Sequence, residues 1–184
     1  MTPQQREQIL AALWPEGGNS RLGVWAVLDC ARDPKIYLAL LESRLEFRCL
    51  YSGRLPQALE RAAPHLVELL PSNRLVHRWL DEAWGQSWGV FLKIGDPSNL
   101  RHHLRKLLRV RSERGGYMLM RWYDPRVLGL LLRSFDAQQL RSMFGEIHAF
   151  AAEAAHGEAL SQFTLNQGRL REDTLRWADQ DAAV

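Results

Sequence analysis

With 184 residues, 46% of them hydrophobic and 24% charged, the chain has the composition of one well-packed globular core and is short for two independent ones. That balance excludes a largely disordered chain, and even its most apolar run, Val127 to Leu132 before Arg133, falls far short of the roughly 20 residues that a membrane-spanning helix needs. A formal charge of +3, from 24 Lys+Arg against 21 Asp+Glu, is too small an excess to choose a polyanionic partner.

Met1 to Leu13 reads as a polar helix with Ile9, Leu10 and Leu13 on one side. It has no basic start followed by an apolar signal core, so a soluble, cytoplasmic protein is expected. The strand-like run Val24 to Asp29 then leads into Asp33-Pro34 and a helix to about Leu45, with Ile36, Leu40 and Leu41 as its buried stripe. Two later runs repeat this unit: Trp88 to Ile94 before Asp96-Pro97, and Tyr117 to Tyr123 before Asp124-Pro125. Aspartate accepts from the unpaired amides of a first helical turn and proline lacks the amide that would be orphaned there, so each pair predicts a helix start. Strand alternating with helix predicts a mixed α/β core.

Between the first two units, Phe47 to Tyr51 is a further strand candidate. The stretch after Gly53 and Pro56 reads as a connector with one short helix, ended by Pro64. Val76, Trp79, Leu80 and Ala83 fall at helical spacing, so 73–84 is predicted helical, capped by Ser72 or Asn73 and stopped by Gly85. The helix after Pro97 buries Leu100, Leu104, Leu107 and Leu108 and carries Arg101, Arg105 and Arg109 along a neighbouring stripe. Gly115-Gly116 predicts a turn into Tyr117 to Tyr123, whose large side chains suit a central strand. Val127, Leu128, Leu131 and Leu132 continue the next helix; Asp136 caps another that presents Leu140, Met143 and Phe144, and Gly145 ends it. Glu146 to Phe150 and Ala159 to Leu165 read as short strands, although the alanines from Ala149 to Ala155 also suit helix. Arg169 to Ala178 fits either a terminal helix or a segment ordered by a partner. The expected architecture is a mixed sheet flanked by helices over 1–134, with a smaller, mainly helical lobe over 135–184.

Chemistry is harder to place. Gly17-Gly18 and Gly115-Gly116 lack the Lys and Ser or Thr companions of a phosphate-cradling loop. His102-His103 point about 100° apart on a helix and do not share one ion, so no metal is expected. Cys30 and Cys49 fit buried thiols better than a disulfide. Asp29 and Asp124 would serve hydrolysis only if they met at a shared crevice; capping is their simpler role. Arg101, His102, Arg105, Lys106, Arg109, Arg111 and Arg114 gather positive charge, but without interleaved aromatic residues, and a solvated or protein-binding face is favoured over a nucleic-acid face. The run Arg121-Trp122-Tyr123-Asp124-Pro125-Arg126 joins arginine and aromatic residues at a strand-to-helix corner, a composition shared by binding hot spots and packed cores.

The motifs also occur in a recognisable order. Val24-Trp25-Ala26-Val27-Leu28-Asp29-Cys30-Ala31-Arg32-Asp33-Pro34 resembles the opening "LlDgArdp" of the type VI secretion effector-adaptor domain, with Cys30 in place of a small glycine. Leu50-Tyr51-Ser52-Gly53, Ala63-Pro64-His65-Leu66-Val67, Trp88-Gly89-Val90 and His103-Leu104-Arg105 are similar to later pieces of its pattern. Met120-Arg121-Trp122-Tyr123-Asp124-Pro125-Arg126-Val127-Leu128 resembles its "fRyyDPrvl" with only aromatic exchanges. The resemblance covers about Gly23 to Phe144. It implies a cytoplasmic, non-enzymatic adaptor or chaperone, without cofactor, that binds a toxic effector and helps load it onto the valine-glycine-repeat (VgrG) spike. Arg121, Trp122, Asp124 and Arg126 are the expected partner-binding residues, with Asp124 also capping its helix. The alternative expectation is a nucleic-acid-binding protein using the basic helix 101–114.

Overall fold

The computed structural model describes residues 1–15, 22–111 and 115–177; Gly17-Gly18, Arg114 and Ala178 lie outside them. Helix α1 (Pro3–Leu13) starts at Thr2, whose hydroxyl accepts from the Gln5 amide at 3.2 Å, while the Gln5 side chain accepts from the Thr2 amide at 2.8 Å. Strand β1 (Gly23–Asp29) leads to α2 (Pro34–Ser43), where Asp33 Oδ1 accepts from the Lys35 amide at 2.8 Å and Pro34 opens the helix. β2 (Phe47–Cys49), α3 (Gln57–Arg61) and β3 (Pro64–Leu69) follow. α4 (Arg74–Arg78) widens directly into a π-helical turn (Trp79–Ala83) before β4 (Gly89–Ile94). Next come α5 (Leu100–Leu107), a hairpin of β5 (Arg109–Arg111) and β6 (Tyr117–Leu119), then α6 (Pro125–Ser134) and α7 (Ala137–Phe144). β7 (Ile147–Ala154), β8 (Ala159–Asn166) and β9 (Arg169–Arg176) close the described chain.

Seven strands make one sheet in the order β2-β3-β1-β4-β7-β8-β9, with helices on both faces. Residue alternation sends Val24, Ala26, Leu28, Val67, Leu69 and Phe91 to the face covered by α1, α2 and α4; Trp79 stacks on Phe91 there at 4.2 Å between ring centres. Val27, Leu66, Val90, Leu92 and Ile94 face the other way and pack with Leu100 and Leu104 of α5, Leu128 and Leu132 of α6, and Met143 and Phe144 of α7. The α/β class expected from the sequence is therefore the class observed. At Gly89 a Cβ would sit 2.1 Å from the Val27 carbonyl oxygen, so β1 and β4 approach this closely only because that position is glycine.

Four expectations are corrected. The sheet is not mixed, since every neighbouring pair is antiparallel. β1 and β2, joined through α2, do run in the same direction, but β3 lies between them, in a stretch beginning at Pro64 for which the sequence predicts no strand. Tyr117 to Tyr123 is not a central strand: only 117–119 pair, with β5 in a separate exposed ribbon, and both Trp122 and Tyr123 turn inward. Both side chains enter the same core because the chain turns at 121–124, where the Asp124 amide donates to the Arg121 carbonyl. Asp96-Pro97 does not open α5, because Asp96 Oδ1 accepts from the Ser98 amide at 2.9 Å and the helix begins two residues later. Residues 135–177 are not mainly helical; α7 gives way to β7, β8 and β9, which continue the same sheet through the β4–β7 pairing. Strands at 147–154 and 159–166 agree with the preferred reading of the tail, whereas 169–176 is strand where helix or partner-induced order was expected.

Candidate partner-binding site

The site is built where β1 ends beside the start of α6. Asp29, the last residue of β1, is buried between neighbouring strands, its side chain 1% exposed. After the β5–β6 hairpin, the Met120 amide donates to the Leu108 carbonyl at 2.9 Å and the Asp124 amide to the Arg121 carbonyl at 3.1 Å, which folds 121–124 into a turn. Trp122 is wholly buried, edge-on to Phe150 with 6.1 Å between ring centres. Anchoring Trp122 and Tyr123 inward leaves Arg121 on the outer side, where its Nη2 donates to Asp29 Oδ2 across 92 residues of sequence. Asp29 Oδ1 has no hydrogen-bond partner among the described residues.

Asp124, also buried, caps α6. Its Oδ1 accepts from the Arg126 amide at 3.0 Å and from Arg126 Nε at 2.9 Å, and its Oδ2 accepts from Arg126 Nη2 at 2.6 Å. Burial alone would raise the Asp124 carboxyl, but the side-chain and backbone hydrogen bonds from Arg126, with the charges of Arg126 and Arg121, hold it below the ordinary carboxylate range. Each ion pair has a buried acid and an exposed base: the Arg121 and Arg126 side chains are 46% and 53% exposed. Each guanidinium has five N–H donors, and the carboxylates occupy only part of that set. The result is two cations fixed in direction with donors left toward solvent.

Beside this corner lies a cleft of about 450 Å³ bordered by Arg126, Arg32, Arg133 and His156, with Glu153 at its wall. Glu153 accepts from the Gly85 and Ser87 amides at 2.7 and 2.5 Å, pinning the turn before β4, and its burial pushes its carboxyl above the ordinary range. Arg133 makes a two-pronged pair with Glu172 of β9, at 2.9 and 2.7 Å. Arg32, Arg133 and Glu153 were not legible as neighbours of the corner, since strand order alone brings 85–87 and 153 together; local spacing carries no signal for it.

Of the four expected residues, Arg121, Asp124 and Arg126 come together at the corner. Trp122 does not join their surface; it supports it from within the core, so its expected contact role is corrected to a packing one. In the basic helix, Arg101 is committed to the Cys49 carbonyl at 3.0 and 3.3 Å, and His103 Nε2 lies 3.0 Å from the Met143 carbonyl. Cys30 Sγ lies 3.5 Å from His65 Nδ1, a neighbour that the sequence did not indicate. The pair is not an activated nucleophile, because burial first and Asp29 second push the thiol up, and His65 Nδ1 is also 2.9 Å from the Ala63 carbonyl. Among the described residues no group of three or more His, Cys, Asp or Glu is placed to hold a metal ion. No described helix is long and apolar enough to cross a membrane.

No curated protein and no solved structure matches the chain. A family model described as "Domain of unknown function (DUF4123)" matches residues 24–142, from β1 into α7, and so takes in Asp29, the whole 121–126 corner and the helix it caps. With most of its length under that match, the chain belongs to the DUF4123 family.

Proposed function

We propose that this protein is a non-enzymatic adaptor, or chaperone, that holds a toxic type VI secretion effector in the cytoplasm and helps load it onto the VgrG spike. The observation that carries this reading is the corner itself: Arg121 and Arg126 stand half-exposed, each oriented by a buried carboxylate. Such pre-oriented guanidinium groups lose little freedom when they grip carboxylates or backbone carbonyls of another polypeptide. The motif through which the chain resembles effector adaptors, Met120 to Leu128, folds into this same corner.

The test is co-purification of the effector encoded beside this chain. Wild type retains it, and Arg121→Glu combined with Arg126→Glu weakens retention by about thirtyfold, the loss expected for an interfacial arginine anchor of about 2 kcal/mol. Undiminished retention by that double variant removes the corner from the interface; no retention by wild type removes the adaptor reading.

The second reading is nucleic-acid binding by residues 101–114, to which the half-exposed Arg105 and the exposed Lys106, Arg109 and Arg111 give some support. Affinity for DNA or RNA that falls steeply with salt and disappears in Arg105→Glu with Arg109→Glu would favour it.

A further inference from the structure

A second surface lies apart from the corner. An open groove of about 760 Å³ runs between the 50–59 stretch, α5 and the β5–β6 hairpin. Its apolar lining comes from five leucines, Leu50, Leu55, Leu59, Leu108 and Leu119, with Tyr51 and Tyr117. Leu59, Tyr117 and Leu119 are among the chain's most exposed large hydrophobic side chains, as is Met118 on the opposite face of β6. β6 pairs with β5 on one side only, so among the described residues its outer edge is unpaired. An exposed apolar trough beside a free strand edge is a recurring place for a partner segment to dock.

The rim is uniformly basic. His102, Arg105, Lys106 and Arg109 line the groove, no described Asp or Glu does, and no described carboxylate pairs with any of these four side chains. Arg109 is held in place by its guanidinium carbon, 4.4 Å from the centre of the Tyr117 ring. Elsewhere the exposed Arg126, Arg133 and Arg171 each pair with an acid nearby, whereas others such as Arg54 and Arg74 stand singly among the described residues; the groove differs in gathering its cations along one rim.

We propose that this groove is the docking site for an acidic amphipathic segment of the partner polypeptide, with its apolar side chains on the leucine floor and its carboxylates against Arg105, Lys106 and Arg109. Taking the partner to be a polypeptide rests on the adaptor reading; the chemistry of the segment comes from the groove. A second copy of this chain is a poor occupant, because a self-complementary contact would set basic rim against basic rim. A nucleic acid is disfavoured by the floor, where leucines outnumber Tyr51 and Tyr117 and the Tyr117 ring already carries Arg109, whereas single-stranded chains use open stacked aromatic platforms.

The experiment uses the full chain and a fluorescent peptide of alternating leucine and glutamate. Its comparison probes are one peptide with serine for every leucine, one with lysine for every glutamate, and an oligothymidylate. The acidic amphipathic peptide is expected to bind about tenfold or more tightly than any comparison probe, and Leu59→Ser or Arg105→Glu with Arg109→Glu to weaken it at least tenfold while circular dichroism stays unchanged. Equal binding of oligothymidylate, binding indifferent to these substitutions, or self-association that Leu59→Ser abolishes would each overturn the proposal. Peptide binding as expected with no effector retained upholds the groove and removes the adaptor reading. An effector lost by the corner variants but retained by the groove variants does the reverse.

Discussion

Replacing Arg121 with alanine removes the side-chain partner of a carboxylate at the end of a central strand. A buried ion pair that loses one member costs about 3–5 kcal/mol, because the remaining charge stays desolvated. A fully exposed pair contributes only about 0–1 kcal/mol. The Asp29 side chain is 1% exposed and that of Arg121 is 46% exposed, which places this pair between those limits. The expected loss for Arg121→Ala is therefore about 2 kcal/mol, equivalent to roughly 4–8 °C in Tm for a chain of this size. Urea unfolding followed by tryptophan fluorescence measures it, with Asp29→Asn and the double variant completing a cycle. Asp29→Asn should cost less, since the arginine it frees already reaches water, and the coupling energy should be about 1 kcal/mol or more. Stability of Arg121→Ala within about 0.5 kcal/mol of wild type, or purely additive losses, would refute the reasoning that Asp29 depends on this cation.

Asp124→Asn removes charge from the α6 cap and should lower stability by about 1 kcal/mol at neutral pH. Because the folded carboxyl is held below its ordinary value of 3.8, its contribution is full above that pH and is lost as pH falls through the folded value. Thermal melts of wild type and D124N should therefore keep their full separation above about pH 3.8 and approach one another only as the pH falls below it. Glu153 should behave in the opposite sense: its folded carboxyl is raised above the ordinary 4.5, so its ionisation works against the fold as pH rises through that range. Relative to Glu153→Gln, wild type should gain Tm on acidification from pH 7 toward 4.5, and a flat difference would contradict the burial argument. Gly89→Ala forces a methyl group against the Val27 carbonyl and should cost about 3 kcal/mol, read as a fall in denaturation midpoint. Replacing Gly53 the same way meets no neighbouring atom within 4 Å, although its φ of +87° still carries strain, so its smaller loss separates collision from backbone strain.

Contacts made within a few residues were legible before the fold was known. Asp33-Pro34 and Asp124-Pro125 open α2 and α6 as expected, since an N-cap joins residues two or three apart and depends on little else. Asp96-Pro97 failed for an equally local reason: Ser98 and Asn99 extend the turn before α5 begins. β3 was missed because Pro64, read as a helix breaker, is instead the first residue of a strand, a position where its missing amide is tolerated. Once β3 is inserted between β1 and β2, the antiparallel sheet follows, but no periodicity in β1 or β2 announces the insertion. The arginines of the corner were legible as residues and as a motif. Their pairing was only half legible, because Arg126 meets an acid two positions away while Arg121 meets one 92 positions away. Trp122 shows the limit of composition: tryptophan beside arginine suits an interface or a core, and only the turn at 121–124 sends it inward.

The most direct test of the adaptor reading is delivery of the neighbouring effector from cells that lack this chain. Effector transfer into recipient cells should fall to background while the spike itself is still secreted, and a plasmid copy of wild type should restore it where Arg121→Glu with Arg126→Glu does not. Undiminished effector transfer from the deletion strain would contradict the account.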